Sequence, residues 1–202
     1  MTFLDYLQVS IVVIVLAVIA TKAIYLRLAT GINPIVIASS KGAWRIVEIL
    51  SLASVLLWLT EVILQAFHSR YDIFPKRLGF DFLDGFVVKI LGAGFVGLGL
   101  VTFLSAFFSF GKSWRIGIDR KTPGTLVTGG IFGLTRNPIY VASNLYFTGI
   151  FLINGTWFFL IFALLAAIAC HFQILREEEF LRRQYGRDFE DYCQRTGRYF
   201  IW

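Results

Sequence analysis

Charged side chains are scarce in this chain of 202 residues. Asp, Glu, Lys and Arg together make up 16% of it, against about a quarter in an average soluble domain. That deficit excludes a disordered, solvating chain and argues against a soluble globular domain. Cysteine and histidine are scarcer still, with two of each. Cys170 lies in an apolar run and Cys193 in a charged tail, a pairing that suits neither a disulfide nor a metal site. His68 and His171 close different apolar runs and are expected at opposite membrane faces, which excludes a shared haem or metal. No zinc-ligand set exists either. No Gly-x-Gly-x-x-Gly follows a strand pattern, so the dinucleotide fingerprint is missing. The first apolar run opens with Asp5 and no basic residue, so a cleavable signal peptide is not expected. There is no internal repeat and no low-complexity run.

What is abundant is apolar. Hydrophobic types reach 57% and aromatics 17%, and mean hydropathy is +0.71. A bilayer crossing needs about 20 apolar residues in a helix. Five stretches qualify or nearly so: Phe3–Leu28, Ile46–Phe67, Phe86–Phe110, the shorter Ile139–Ile153, and Thr156–Phe172. Asn154-Gly155 is a tight-turn signal, so the last two stretches read as a helical hairpin. The expected fold is an all-α integral membrane protein with about five transmembrane helices. Residues 1–110 form a three-helix region, and 111–202 the region that carries the chemistry.

The basic residues are distributed unevenly. Taking alternate sides of the five spans, one side collects fourteen Lys and Arg and the other three: Arg70, Lys76 and Arg77. By the positive-inside rule the N-terminus is expected outside and the C-terminus in the cytosol. The net charge of +6 is thereby read as topology, and no nucleic-acid partner is expected. Lys22 and Lys89 lie near span ends, where they can snorkel.

Both polar segments with chemical potential fall on the cytosolic side of this count. The first is Gly-Leu-Thr-Arg-Asn-Pro-Ile-Tyr, residues 133–140. Pro138 suits the first position of a helix. Arg136 and Asn137 then flank a helix N-terminus, a setting that favours an anionic group such as a carboxylate. The plain alternative is a basic helix start at the membrane surface. The second segment is Arg176-Glu177-Glu178-Glu179. A carboxylate there suits an amine or a ribose hydroxyl. The plain alternative is a solvated face, with Glu179 paired to Arg182 or Arg183 at helical spacing. Gly92, Gly94, Gly97 and Gly99 read as a close-packing stripe. Glu61, inside the second span, is either a functional acid or a water-facing or Lys-paired one.

Taken together, these segments resemble the isoprenylcysteine carboxyl methyltransferase family and its wider phospholipid-methyltransferase relatives. The matching pieces run in order: Gly-Lys-Ser-Trp-Arg-Ile-Gly (111–117), Leu-Val-Thr-Gly-Gly-Ile-Phe (126–132), Arg-Asn-Pro-Ile-Tyr (136–140), and Glu-Glu-x-x-Leu-x-x-x-Tyr-Gly-x-x-Phe-x-x-Tyr (177–192). The resemblance implies a membrane methyltransferase using S-adenosyl-L-methionine, with no metal and an apolar or lipid-like acceptor. It also implies a cytosolic cofactor pocket capped by the C-terminal tail. By position it assigns Thr125, Leu126, Val127 and Phe132 to the cofactor lining. Asn137, Pro138 and Tyr140 fall on the Arg-His-Pro-x-Tyr motif, with Asn137 where the family usually has His. Glu177, with Glu178 beside it, falls on the cofactor-holding carboxylate. Arg136 is expected to neutralise the methionyl carboxylate. Gln173 stands at the acceptor side, where relatives that methylate a prenylcysteine carboxylate have Arg, and it brings no charge to hold one. The competing readings are an NADPH-dependent membrane reductase of similar layout and a non-catalytic membrane protein.

Overall fold

The computed structural model describes residues 2–31, 43–67, 83–111, 114 and 124–200. Among these the chain is helical, with no strand. Six α-helices follow in order: α1 (Phe3–Thr30), α2 (Ala43–Ala66), α3 (Phe86–Ser109), α4 (Pro138–Asn154), α5 (Trp157–Tyr185) and α6 (Arg187–Arg195). A 3₁₀ turn, Gly130–Gly133, precedes α4. His68, the basic residues 41, 70, 76, 77, 112, 115, 120 and 121, and the 111–117 motif apart from Gly111 and Trp114 lie outside the described residues.

Four of these helices are long and apolar enough to cross a membrane: α1, α2, α3 and α5. The fifth expected span is α4, whose 17 residues sit at the short end of the spanning range. Many apolar side chains face outward, among them Phe86 at 78% and Leu165 at 62% exposure. In water such bare faces would drive association. In lipid they are the solvated surface. The last helix of the hairpin is longer than a bilayer requires. Its 29 residues extend about 43 Å at 1.5 Å each, against about 30 Å of hydrocarbon. The charged turns from Glu177 to Tyr185 therefore project beyond the membrane.

The chain divides into two units, one holding α1 and α2, the other α3 to α6. The expected boundary at residue 110 differs from this division, because α3 packs on α4. In the first unit α1 begins with a capping box. Thr2 Oγ1 accepts from the Asp5 amide at 3.4 Å, and Asp5 Oδ2 accepts from the Thr2 amide at 2.5 Å.

In the second unit two glycines of the expected stripe set the helix distance. A methyl group on Gly92 would lie 2.8 Å from Gly149 O, and one on Gly99 would lie 3.0 Å from Ala142 O. Gly149 returns the constraint, since its methyl would meet Gly92 O at 2.7 Å and the Val96 amide nitrogen at 2.8 Å. The partners step seven residues forward on α3 and seven back on α4, so the two helices run antiparallel. Gly94 and Gly97 correct the expectation. Nothing lies within 4 Å of a side chain there, because they sit about 200° and 140° around the helix from Gly92. The hairpin turn forms where Asn154-Gly155 placed it. Gly155 has φ 67°, and its N–H donates to Phe151 O at 2.7 Å.

Candidate functional site

The polar end of the second unit is built on an aromatic core. Ala106 of α3, Phe132 of the 3₁₀ turn, and Phe189 and Tyr192 of α6 are buried together. Phe110 meets Phe132 edge-on at 4.7 Å. Tyr192 Oη donates to Phe132 O at 2.6 Å. The short α6 docks because Phe189, Tyr192 and Cys193 share one face at helical spacing, while its charged residues face away. Leu126 and Val127 pack half-buried against this core. Thr125 is exposed. The sequence expectation put these three and Phe132 along a cofactor. The structure places Phe132, Leu126 and Val127 in the packing that holds the loop before α4 to the tail.

Above that core a buried ionic clamp closes the tail. Glu178 is 3% exposed. Its Oε1 accepts from Arg136 Nε at 3.2 Å, Arg136 Nη2 at 3.1 Å and Asn137 Nδ2 at 3.1 Å. Its Oε2 accepts from Arg198 Nε at 3.1 Å and Nη2 at 2.8 Å. Burial alone would raise the Glu178 carboxyl, but the hydrogen bonds from Arg198 and the charge of Arg136 outweigh it and hold the group below the usual carboxylate range. Arg136 also donates to the tail backbone. Nη1 reaches Thr196 O at 2.6 Å and Cys193 O at 3.2 Å, and its amide donates to Gly197 O at 3.0 Å. Thr135 Oγ1 donates to Arg198 O at 3.0 Å and accepts from the Asn137 amide at 3.2 Å. Farther along the tail, Tyr199 Oη meets His171 Nδ1 at 2.7 Å.

Arg136 thus directs four of its five side-chain N–H groups to Glu178 and the tail backbone; the sequence expectation had it neutralise a methionyl carboxylate. Asn137 caps α4 by position, yet its side-chain amide donates to Glu178 and, at 3.1 Å, to Arg198 O. Pro138 is buried at the first helical position.

A second polar cluster lies about 100° around α5 from the clamp. Tyr140 Oη donates to Glu177 Oε1 at 2.5 Å. Gln173, one turn earlier, lies in hydrogen-bonding range of both, and its Oε1 accepts from Arg176 Nη1 at 2.9 Å. Glu177 is half-buried. Burial pushes its carboxyl up from the ordinary value and outweighs the lowering hydrogen bonds of Tyr140 and Gln173, so the shift is opposite to that of Glu178. Glu179 points to solvent and pairs with Arg183 one turn on.

Residues 87–188 match the family model described as Phospholipid methyltransferase. The chain belongs to that family. These are membrane methyltransferases of the isoprenylcysteine carboxyl methyltransferase-like kind. No curated protein matches the chain. The match runs from α3 into α6, so it includes every expected site residue, Thr125 to Glu178. It stops short of Thr196, Arg198 and Tyr199, the part of the tail that closes on this phospholipid-methyltransferase core.

Sequence reasoning missed Arg198, which entered it only as one charge in a topology count. Its contact with Glu178 spans 20 residues and a helix break at Gly186, and no local spacing encodes that. It also missed Asn144. That residue could have been found, since it follows Tyr140 by four positions on one helix. Glu61 is 5% exposed in the first unit and accepts from Gln65 Nε2 at 3.2 Å on its own helix. Among the described residues no His, Cys, Asp and Glu group could hold a metal ion.

Proposed function

We propose that this chain transfers a methyl group from S-adenosyl-L-methionine to an apolar or lipid-like acceptor at the cytosolic membrane face. The observation that carries the reading is the gathering of Tyr140, Gln173 and Glu177 at the polar end of the α4/α5 hairpin, inside the residues that match the methyltransferase family.

The donor set fits the cofactor. Glu177 offers a carboxylate suited to an amine or a ribose hydroxyl, and Tyr140 fixes one of its oxygens. A half-buried carboxylate also suits the positive charge of a sulfonium donor. When bound, that cofactor supplies an activated methyl carbon that an acceptor lone pair takes, leaving a neutral thioether. The protein's own residues then need only hold, align and exclude water. Glu177 is the holding group, and Asn137, whose amide hydrogens go to Glu178 and Arg198 O, positions the loop beside it. Tyr140 orients Glu177. Arg136 and Arg198 act through Glu178, keeping the tail closed over the α4 N-terminus, and are positioning residues. Gln173 faces the acceptor side. Its neutral amide favours an acceptor other than a prenylcysteine carboxylate. The acceptor enters from lipid, and the fourteen-to-three basic count supports a cytosolic site with the N-terminus outside.

Calorimetric titration of the purified protein with S-adenosylhomocysteine and with NADPH tests the reading. Binding of the first and not the second is expected. NADPH binding alone would favour the reductase, and binding of neither would favour a non-catalytic protein. Labelling of a cysteine placed at position 2 in intact cells, with one at 202 protected, is the expected result for the orientation.

A further inference from the structure

Among the described residues, Asn144 of α4 keeps a buried oxygen without a partner at membrane depth. Asn144 Oδ1 is enclosed and accepts no hydrogen bond. The residues that flank it on α4 establish which way it faces. Tyr140, four residues before, bonds Glu177 of α5. Phe147, three residues after, meets Phe162 of α5 edge-on at 5.3 Å. Asn144 thus lies on the α5-facing side, about 6 Å deeper along α4 than Tyr140. The opposite side of α4 is the one occupied by Ala142 and Gly149 against α3. Across the seam, α5 presents Gln173 and Cys170 between Phe162 and Glu177 at helical spacing.

A buried amide oxygen without a donor is destabilising, and leucine at this position would carry no such penalty. With Oδ1 as the enclosed atom, the missing partner must be a donor. A carboxylate has none at neutral pH, and the Glu177 charge would repel it. An N–H or O–H group fits both.

We propose that Asn144 is a specificity-determining residue that receives an N–H or O–H of the methyl acceptor, on the membrane side of the Tyr140–Glu177 pair. The proposal rests on the methyltransferase reading and deepens it by naming the acceptor chemistry. In the transfer, the acceptor nitrogen or oxygen forms the new bond to the methyl carbon. The carbon–sulfur bond breaks with its electron pair on sulfur, and the acceptor's proton leaves to water. Each transfer removes one donor hydrogen. Asn144 therefore holds the substrate and releases an alcohol product, whose last donor has been replaced by methyl.

The test compares matched lipids of one tail length: a long-chain alcohol against its methyl ether, and a long-chain primary amine against its trimethylated form. Competition binding to the full protein in nanodiscs without cofactor is the readout. Wild type is expected to bind the alcohol or the amine at least tenfold more tightly than its methylated partner. Asn144→Leu should reduce that ratio below twofold while keeping S-adenosylhomocysteine affinity and thermal midpoint at or above wild type. Equal binding of methylated and unmethylated lipids by wild type overturns the proposal, and so does an unchanged ratio in Asn144→Leu. If Asn144→Leu fails to fold, Asn144→Asp, which keeps an acceptor at the same place, must retain the ratio for the proposal to stand. Loss of S-adenosylhomocysteine binding in wild type, with the lipid ratio intact, would sink the methyltransferase reading alone.

Discussion

Glu177 and Glu178 are adjacent on α5, point about 100° apart, and bind separate partners. Glu177 accepts the Tyr140 hydroxyl at 2.5 Å, while Glu178 is gripped by Arg136, Asn137 and Arg198. One carboxylate is spent on architecture. The other keeps a place at the seam where chemistry is proposed. The split follows from position: Glu178 faces the loop and tail, and Glu177 faces α4.

The two arginines of the clamp should differ in weight. The Arg136 side chain is 11% exposed and the Arg198 side chain 36%. Removing one partner of a buried pair costs about 3–5 kcal/mol, whereas an exposed pair contributes about 1 kcal/mol or less. Arg136→Ala should therefore fall near the low end of the first range, because Arg198 still compensates Glu178. Arg198→Ala should lose about 1 kcal/mol. Thermal unfolding of both variants in one detergent ranks them. A larger loss in Arg198→Ala would reverse the assignment of the main strut.

Acid should open the tail. Glu178 is held below the usual carboxylate range when folded, against about 4.3 when unfolded. Its contribution is full above the unfolded value and is lost as pH falls through the folded one. Hydrogen exchange at residues 196–199 should therefore be slow at neutral pH and rise below about pH 4. Glu178→Gln should exchange faster at neutral pH and show no further acid step from this group. A tail equally protected at pH 3 and pH 7 would contradict the clamp.

The sequence made the helices legible because lipid imposes one simple rule, an apolar run long enough to cross. It located the hairpin because Asn154-Gly155 is a turn by local chemistry alone. The exposure of Glu179 followed from spacing to Arg183. Three features were hidden for physical reasons. Arg198 reaches Glu178 through tertiary folding across Gly186. Phe132, Leu126 and Val127 look alike whether they line a cofactor or a core. The glycine stripe of α3 reads as one feature in the sequence, yet a helix turns Gly94 and Gly97 away from the face that Gly92 and Gly99 present.

That last distinction predicts a pattern in alanine substitutions. Gly149→Ala places a methyl 2.7 Å from Gly92 O and 2.8 Å from the Val96 nitrogen, both backbone atoms that yield only if the helices separate. A loss of about 1–3 kcal/mol is expected, the usual range for overpacking. Gly94→Ala and Gly97→Ala meet nothing within 4 Å and should leave stability unchanged or raise it by up to about 1 kcal/mol through helix propensity. Thermal midpoints of the three variants decide it. A stabilised Gly149→Ala would show that α3 and α4 are farther apart than described.

The decisive pair for the cofactor site is Glu177 and Glu179, two glutamates that point about 200° apart. Only one of them faces Tyr140 and Gln173. Glu177→Gln keeps the shape and removes the charge. Hydrogen bonds to a charged acceptor contribute about 1.5–3 kcal/mol, so cofactor affinity should fall roughly ten- to hundred-fold. The Glu179 side chain is 61% exposed and pairs with Arg183 on the same surface, and surface changes of this kind usually stay within about 0.5 kcal/mol. Glu179→Gln should change affinity by less than about twofold. Titration of S-adenosylhomocysteine into wild type and both variants, in the same detergent, makes the comparison. A damaging Glu179→Gln beside a silent Glu177→Gln would displace the carboxylate register by two residues. It would also remove the α4/α5 seam as the place where the cofactor is held.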